Sequence, residues 1–288
     1  MVSPKHLRVL LPAFLLFVAA CSSDSSSSSS EPAPEPEDPA SAEPQFEPDP
    51  AMKIEVDALR ETARTAMFVP APSEFQAALK ATKVELDIRK GVADSTRDLT
   101  GKSTAIVALE TGVRLANVLL TADTGDKAAV LGRMKAARQG LMALKAGDVV
   151  LSETDSVIAD FEAGTISGAE ATPALDVLAG RIQAQLASSS DQTTAILVQA
   201  GGWLQGAHLL STALADANQG GDAAALLRQP TVVAYFADVL RKAGEGDAAV
   251  SSVLGPMREL EALAGKPDLG AADMKTAAEL TGSILKAF

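Results

Sequence analysis

From residue 51 onward, apolar residues recur every three or four positions, and they almost never follow the period-2 alternation of a strand. Proline and glycine divide the pattern into segments. It predicts helices over residues 52–67, 102–122, 126–145, 152–163, 173–187, 191–217, 231–243, 247–264 and 271–288, with a further helix opening at Ser73. We therefore expect an all-α domain, a single multi-helix bundle of about nine helices.

Residues typical of helix ends flank several of these segments. They are Ser73 with Gln76 as a capping box, Thr172 with Pro173 as an N-cap and first helical residue, and Gly244 and Gly265 as C-caps. Pro256 lacks an N–H group, so we expect it to bend or break helix 247–264. Residues 84–88 alternate weakly, and their structure is left open.

Helices 102–122 and 191–217 are apolar on more than one face, which is typical of buried helices. The polar strip left on helix 191–217 is narrow and consists of Thr194, Gln205 and Thr212, with His208 at its edge. Its glycines Gly201, Gly202 and Gly206 each cost about 1 kcal/mol relative to alanine inside a helix. We expect a neighbouring backbone to approach closely there.

The same two helices resemble each other in sequence. Residues 112–121 can be laid over residues 202–211 at an offset of 90 residues, and a Gly-Asp-x-Ala-Ala segment follows both stretches. The match favours two diverged copies of one helical hairpin. Coincidence in an Ala- and Gly-rich chain is the alternative.

Residues 1–20 have the features of a signal peptide. Lys5 and Arg8 precede an apolar run that is too short to span a bilayer as a permanent helix, and small residues then lead into Cys21. Val18-Ala19-Ala20-Cys21 resembles the lipobox of bacterial lipoproteins. The resemblance implies a diacylglyceryl thioether on Cys21, cleavage before it, and acylation of the new amino terminus. An ordinary secretory signal with a chance cysteine is the alternative.

Residues 21–50 are predicted to be a disordered tether that follows the lipidated cysteine. Residues 22–50 consist mainly of Ser, Pro and Glu, and they carry eight acidic residues without a Lys or Arg. Such a segment buries too little surface to fold, and it could reach roughly 90 Å at about 3.1 Å per residue. The predicted organisation is a signal peptide (1–20), a tether (21–50) and an all-α globular domain (51–288).

The charge and the rare residue types exclude several chemistries. The chain has a net charge of -12 and no basic cluster, which argues against nucleic acid and against docking on anionic lipid head groups. Cys21 is the only cysteine, so its lipidation leaves no disulfide, thiolate metal site or cysteine nucleophile. After signal removal His208 is the only histidine. We predict no metal and no cofactor.

Four residues are the candidates for ligand contacts: Arg114, Asn117, Trp203 and His208. Arg114 and Asn117 belong to a polar stripe with Glu110 and Thr121, for which we expect a solvated face with an exposed Glu110–Arg114 ion pair. The alternative is a cleft in which Arg114 fixes an anionic group and the Trp203 indole stacks on the ligand. If there is no such cleft, we expect Trp203 to lie in the core and His208 to form a structural hydrogen bond.

Three stretches carry a family resemblance. The three stretches are Val69-Pro70-Ala71-Pro72-Ser73-Glu74, Gly112-Val113-Arg114-Leu115-Ala116-Asn117 and Ala200-Gly201-Gly202-Trp203-Leu204-Gln205-Gly206. They resemble motifs that occur in the same order in a set of uncharacterised helical bacterial lipoproteins. The resemblance covers residues 66–214, and Asn117 replaces the usual Asp. It implies a lipoprotein with an all-α domain and adds no chemistry.

Two short motifs resemble catalytic sites but lack the residues that those sites need. Residues 100–104 resemble the last part of a P-loop, but Thr96 occupies the position of the first glycine of that motif. Residues 283–286 match the Ser-x-x-Lys of penicillin-interacting enzymes without the companion Ser-Asp-Asn and Lys-Thr-Gly segments. Neither motif predicts an enzyme.

The sequence favours a non-enzymatic helical module of the bacterial cell envelope that binds a partner or has a structural role. We expect Cys21 to anchor it to the outer membrane, with the domain in the periplasm or at the cell surface and an envelope protein as a partner. The first alternative is a small-molecule carrier or sensor with a cleft between helices 102–122 and 191–217. A hydrolase without a recognisable motif is the third hypothesis.

Cys21→Ala should abolish lipidation and block cleavage by the lipoprotein route, because the thioether forms on that sulfur. Metabolic labelling with fatty acid and detergent partitioning measure the effect. A Cys21→Ala variant that still incorporates fatty acid would show that the lipobox interpretation is wrong.

Overall fold

The computed structural model describes residues 68–82, 92, 97–123, 126–188 and 192–288, all within one compact unit, Asp57–Phe288. Over these residues it contains nine α-helices, two short 3₁₀ helices and no strand, so the predicted all-α bundle is confirmed. The α-helices are α1 (Pro72–Thr82), α2 (Thr104–Thr121), α3 (Lys127–Ala143), α4 (Asp148–Ala163), α5 (Ala171–Ser188), α6 (Gln192–Asp216), α7 (Pro230–Ala243), α8 (Ala248–Ala264) and α9 (Ala271–Lys286). The 3₁₀ helices are Gly168–Glu170 and Gly221–Leu227.

Several predicted features lie outside the described residues. They are Cys21, the tether 21–50, helix 52–67 and the segment 84–88. The hypothesis of two diverged hairpins stays a prediction.

The bundle is organised around α2 and α6. These two helices share the most extensive contact in the described part of the fold, and α6 also packs against α1, α5, α7 and α9. By length and composition α2 could cross a membrane, but 89% of it is buried inside the domain, as expected of a core helix. The two helices predicted to be buried therefore form the centre of the domain.

Glycines bring the backbones of α2 and α6 into direct contact. A Cβ atom added at Gly201 would overlap the carbonyl oxygen of Leu109, and one added at Gly112 would overlap the carbonyl oxygen of Val198. The predicted close approach of a neighbouring backbone is thus confirmed at Gly201. Gly206 instead faces the aromatic ring of Phe75, which an added Cβ would also overlap.

The polar strip predicted on α6 is not exposed to solvent. Thr194 and Gln205 are buried, and Thr212 and His208 are half-buried. The reason is the position of α6, because five helices pack around it and cover the side that carries these residues.

Apolar side chains form two clusters that both include α2. The larger one surrounds α6 and includes Trp203, which packs against Phe75 of α1 and Phe236 of α7 with ring centroids 6.3 and 6.2 Å apart. The smaller one lies between the end of α2 and helices α3, α4 and α5, and includes Met134 and Phe161. Helix α2 therefore holds the two halves of the core together.

Two predicted helix starts are wrong. Helix α1 begins at Pro72, and the carboxylate of Glu74 accepts from the Ala71 N–H at 2.7 Å, while Gln76 points inward and donates to the Leu119 carbonyl at 3.0 Å. Helix α5 begins at Ala171 directly after a 3₁₀ turn, so Thr172 and Pro173 lie inside it. In both cases a neighbouring turn or carboxylate serves the free N–H groups in place of the predicted cap.

Pro256 does not break α8, which continues to Ala264. The ring removes the hydrogen bond to the carbonyl of Ser252, but Ser252 is exposed, so water can replace the lost donor. Gly244 and Gly265 cap the ends of α7 and α8 as predicted.

Gly201→Ala should destabilise the domain, whereas Gly132→Ala should not. The methyl group at Gly201 forces α2 and α6 apart, and overpacking typically costs about 1–3 kcal/mol. Gly132 is exposed on α3 and an added Cβ there meets nothing within 4 Å, so alanine should gain up to about 1 kcal/mol. Chemical denaturation of both variants measures the difference. A Gly201→Ala variant as stable as the parent would contradict the backbone contact.

Candidate functional site

A groove lies where α1, α2, α5 and α6 meet, beside the contact between the α2 and α6 backbones. Its volume of about 310 Å³ falls at the lower end of the range of ligand pockets, about 300–1,000 Å³. The walls come from residues 69–73, from one face of α2 and from the facing sides of α5 and α6. The part formed by α2 and α6 is apolar except for Gln199, and its other residues are Gly112, Leu115, Ala116, Leu119, Val198 and Gly202.

Two glycines keep this groove open although neighbouring atoms leave room for a side chain. A Cβ added at Gly202 would lie 3.6 Å from both the Gly112 oxygen and Pro72 Cγ, which is ordinary contact. A Cβ added at Gly180 of α5 would meet nothing within 4 Å. Each glycine costs about 1 kcal/mol relative to alanine inside its helix. Gly201 and Gly112 are required for close helix contact, but Gly202 and Gly180 have no such role.

Of the described residues that line the groove, Asp176 is the one with a charged side chain. It is half-buried on α5, and partial burial raises the pKa of its carboxyl group, while a hydrogen bond from Ser73 opposes that shift. Gln183 and Gln199 add amide groups at the rim. The groove therefore combines an apolar floor with one carboxylate and two neutral polar groups.

The stripe of four polar residues on α2 is buried, so the expected solvated face is wrong. Glu110, Arg114, Asn117 and Thr121 are 3%, 2%, 1% and 0% exposed. Thr121 donates to the carbonyl oxygen of Asn117 at 2.5 Å and accepts from Arg133 at 3.2 Å. Polar atoms can be buried in this way because partners from other segments satisfy them.

Arg114 has three partners in the interior. Its Nε lies 3.3 Å from Glu110 Oε1, Nη1 donates to the Ala136 carbonyl at 3.1 Å, and Nη2 donates to the Arg97 carbonyl at 2.6 Å. The guanidinium thus links α2 to α3 and to the segment that precedes α2. Its geometry is that of a structural ion pair and not of an open anion site.

Arg97 extends this network to the last helix. Its Nη1 lies 3.7 Å from Glu110 Oε2, donates to the Leu285 carbonyl at 2.7 Å, and also bonds to the Phe288 carbonyl. Glu110 therefore faces two guanidinium groups, which balances the burial of its charge.

Trp203 is 1% exposed and lies between Phe75 and Phe236, so it belongs to the core. Its indole N–H meets no hydrogen-bond acceptor in the part of the chain that the structure describes. A ligand could stack on this ring only if the aromatic cluster opened.

His208 forms the expected structural hydrogen bond. Its Nδ1 lies 3.1 Å from Thr281 Oγ1, and because that hydroxyl donates to the Ala277 carbonyl at 2.7 Å, it accepts from His208. Burial lowers the pKa of His208, a backbone hydrogen bond with Ala278 opposes the shift, and Lys286 adds to it. Burial between α6 and α9 therefore favours the neutral form of the imidazole.

The structure does not assemble the four candidate contacts into one site. Arg114, Asn117, Trp203 and His208 are all absent from the walls of the groove, so their role in ligand binding stays a prediction. Asp176 and Gly180 were not among the residues predicted from the sequence. Gly180 offered only a general signal, since it stands in the middle of a predicted helix without a capping role, as Gly132 and Gly255 also do. Asp176 offered none, because an acidic residue on a surface helix is common.

The described residues contain no group of three or more His, Cys, Asp or Glu side chains that could hold a metal ion. Comparison with protein families, with curated proteins and with solved structures finds no match for this chain. The resemblance to helical bacterial lipoproteins therefore rests on the sequence motifs alone.

Arg114→Met should destabilise the domain far more than Arg181→Met. Loss of Arg114 leaves the buried Glu110 without its close partner, and breaking a buried pair costs about 3–5 kcal/mol. Arg181 is 61% exposed and pairs with Glu153 at 2.7 Å on the surface, where such a pair contributes about 0–1 kcal/mol. Urea denaturation compares the two. Equal costs would contradict the structural role of Arg114.

Proposed function

We propose that this chain is a lipid-anchored binding module of the bacterial cell envelope, in which the groove between α2 and α6 takes an apolar ligand. Of the hypotheses from the sequence, this corresponds to the small-molecule carrier or sensor with a cleft between the central helices. The groove differs from the cleft expected there, because it lies beside Gly112 and Gly202 and not at Arg114 and Trp203.

The observation that carries this proposal is the pair of glycines that keep the groove open. Gly180 and Gly202 each lower helix stability, and the neighbouring atoms would accept a Cβ at both positions. Positions that break a local rule without a gain in packing are concentrated at functional sites. An empty groove is the simplest benefit of both glycines.

The rigid surroundings of the groove favour binding. Its floor includes Gly112 and Val198, which also form the backbone contact between α2 and α6. A floor fixed by two buried helices needs little ordering when a ligand enters, so less of the binding free energy is lost. The apolar floor supplies affinity through burial of ligand surface, and the rim amides can orient the ligand.

The anchor determines where this binding occurs. Two or more acyl chains at Cys21 hold a protein stably on a membrane, whereas one chain binds only marginally. A tether of residues 22–50 would let the domain work away from the bilayer surface, in the periplasm or at the cell surface. We propose the outer membrane as the site of anchoring, and an envelope protein that delivers or receives the ligand as the partner.

Gly202→Leu should weaken binding of an apolar dye, because the leucine side chain fills the floor of the groove. The chain from Cys21 to Phe288, produced without the signal and therefore without acyl chains, is titrated with the uncharged dye phenylnaphthylamine, whose fluorescence rises in apolar surroundings. We expect a loss of about tenfold or more in affinity, which corresponds to about 1.4 kcal/mol.

Gly180→Leu on the opposite wall is the second variant, and Gly132→Leu is the matched control on an exposed helix face away from the groove. Circular dichroism verifies that each variant is folded. If the parent does not bind the dye, or if both groove variants bind it like the control, the proposal is wrong.

A further inference from the structure

Among the described residues that line the groove, Asp176 is the one charged side chain. The other described lining residues are apolar or neutral, with no Lys or Arg among them. Among the described residues the Ser73 hydroxyl forms a hydrogen bond with its carboxylate, and a hydroxyl cannot neutralise that charge. Other described acidic side chains do have a basic partner, for example Asp155 with Arg138 and Asp273 with Lys266.

Burial gives this lone carboxylate a physical cost. Partial removal from water raises the pKa of Asp176, because the charged form loses solvation that the apolar floor cannot replace. Entry of a ligand would remove more water and increase this cost, unless the ligand brings a positive charge or a strong hydrogen-bond donor.

We infer that the ligand of this groove carries a cationic group, an ammonium or a guanidinium, which pairs with Asp176 while its apolar body lies on the floor at Gly112, Ala116 and Gly202. The inference rests on the proposed function and adds the chemical class of the ligand. A carboxylate or phosphate ligand would face Asp176, and the described residues of the groove walls supply no compensating base. The net charge of -12 also favours the approach of cations over anions.

The size of the groove sets a limit on this ligand. A volume of about 310 Å³ suits one short apolar chain or a ring system, at the small end of the ligands that pockets enclose. Gln183 and Gln199 at the rim can donate and accept hydrogen bonds at the polar end. A small amphiphile with one positive charge satisfies all of these groups.

Competition among three probes with the same apolar chain tests the inference. Octylammonium, octanol and octanoate each displace phenylnaphthylamine from the chain 21–288 at neutral pH. We expect octylammonium to compete about tenfold more strongly than octanol, as a charge-assisted hydrogen bond predicts, and octanoate to be the weakest. Asp176→Asn, which keeps the shape of the side chain, should bring octylammonium to the level of octanol.

Asp216→Asn is the matched control, since Asp216 is exposed at the end of α6 and is not part of the groove. It should leave the order of the three probes unchanged. If the dye binds in the groove but octylammonium and octanol compete equally in the parent, the cationic class is wrong and the proposed function stands. If the dye does not bind in the groove at all, the proposed function fails first.

Two other occupants give distinct results. The first is the chain's own segment 52–67, which carries Arg60 and Arg64. If changing both arginines to Gln strengthens octylammonium binding about tenfold, this segment competes for Asp176 and the assignment to a free ligand is overturned. If sedimentation detects a dimer that Gly180→Leu abolishes, a second copy occupies the groove and the assignment is likewise overturned.

Discussion

The direct contact between the backbones of α2 and α6 is the constraint on which the rest of the domain depends. Gly201 against Leu109 and Gly112 against Val198 leave no space for a methyl group on either helix. The surrounding helices enclose most of both helices, so the polar groups that they bury need partners inside the protein. The buried Glu110–Arg114 pair follows from this position. Arg114 of this pair donates to carbonyl groups in α3 and in the segment before α2. Arg97, which also faces Glu110, donates to a carbonyl group at the end of α9.

The groove follows from the same constraint. The glycine contact fixes the separation of α2 and α6, and beside it Gly202 and Gly180 leave a space that the core does not use. Asp176 enters this space from α5, a helix that contacts both α2 and α6. The floor of the proposed site thus belongs to the two buried central helices, where a binding geometry is easiest to hold, while α5 supplies an outer wall. In many proteins surface loops supply the residues of a binding site. The walls of this groove come instead from helices and from the short segment 69–73.

The spacing of apolar residues was sufficient to predict the all-α class, most helix bounds and the central place of α2 and α6, because a helix that is apolar all round must be buried. It failed where the answer depends on partners that are distant in sequence. The polar stripe of Arg114 looks the same whether water or the carbonyls of Arg97 and Ala136 satisfy it. Gln205 was predicted on a narrow polar strip, and the helices that bury it come from distant parts of the sequence. A cleft between the two central helices was one of the sequence hypotheses, but the wall formed by α5 could not be predicted, because local periodicity contains no information on which helix lies beside the central pair.

Native-state hydrogen exchange, measured for each backbone amide by NMR, tests most directly whether the α2–α6 pair is the centre on which the domain depends. If it is, the interior amides of α2 and α6 can exchange only when the whole domain unfolds, so their free energy of exchange should equal the free energy of unfolding from urea denaturation. Amides of the outer helices α4 and α5 should exchange at the same or a lower free energy. Exchange in α2 or α6 at a free energy clearly below that of α4 and α5 would contradict the account.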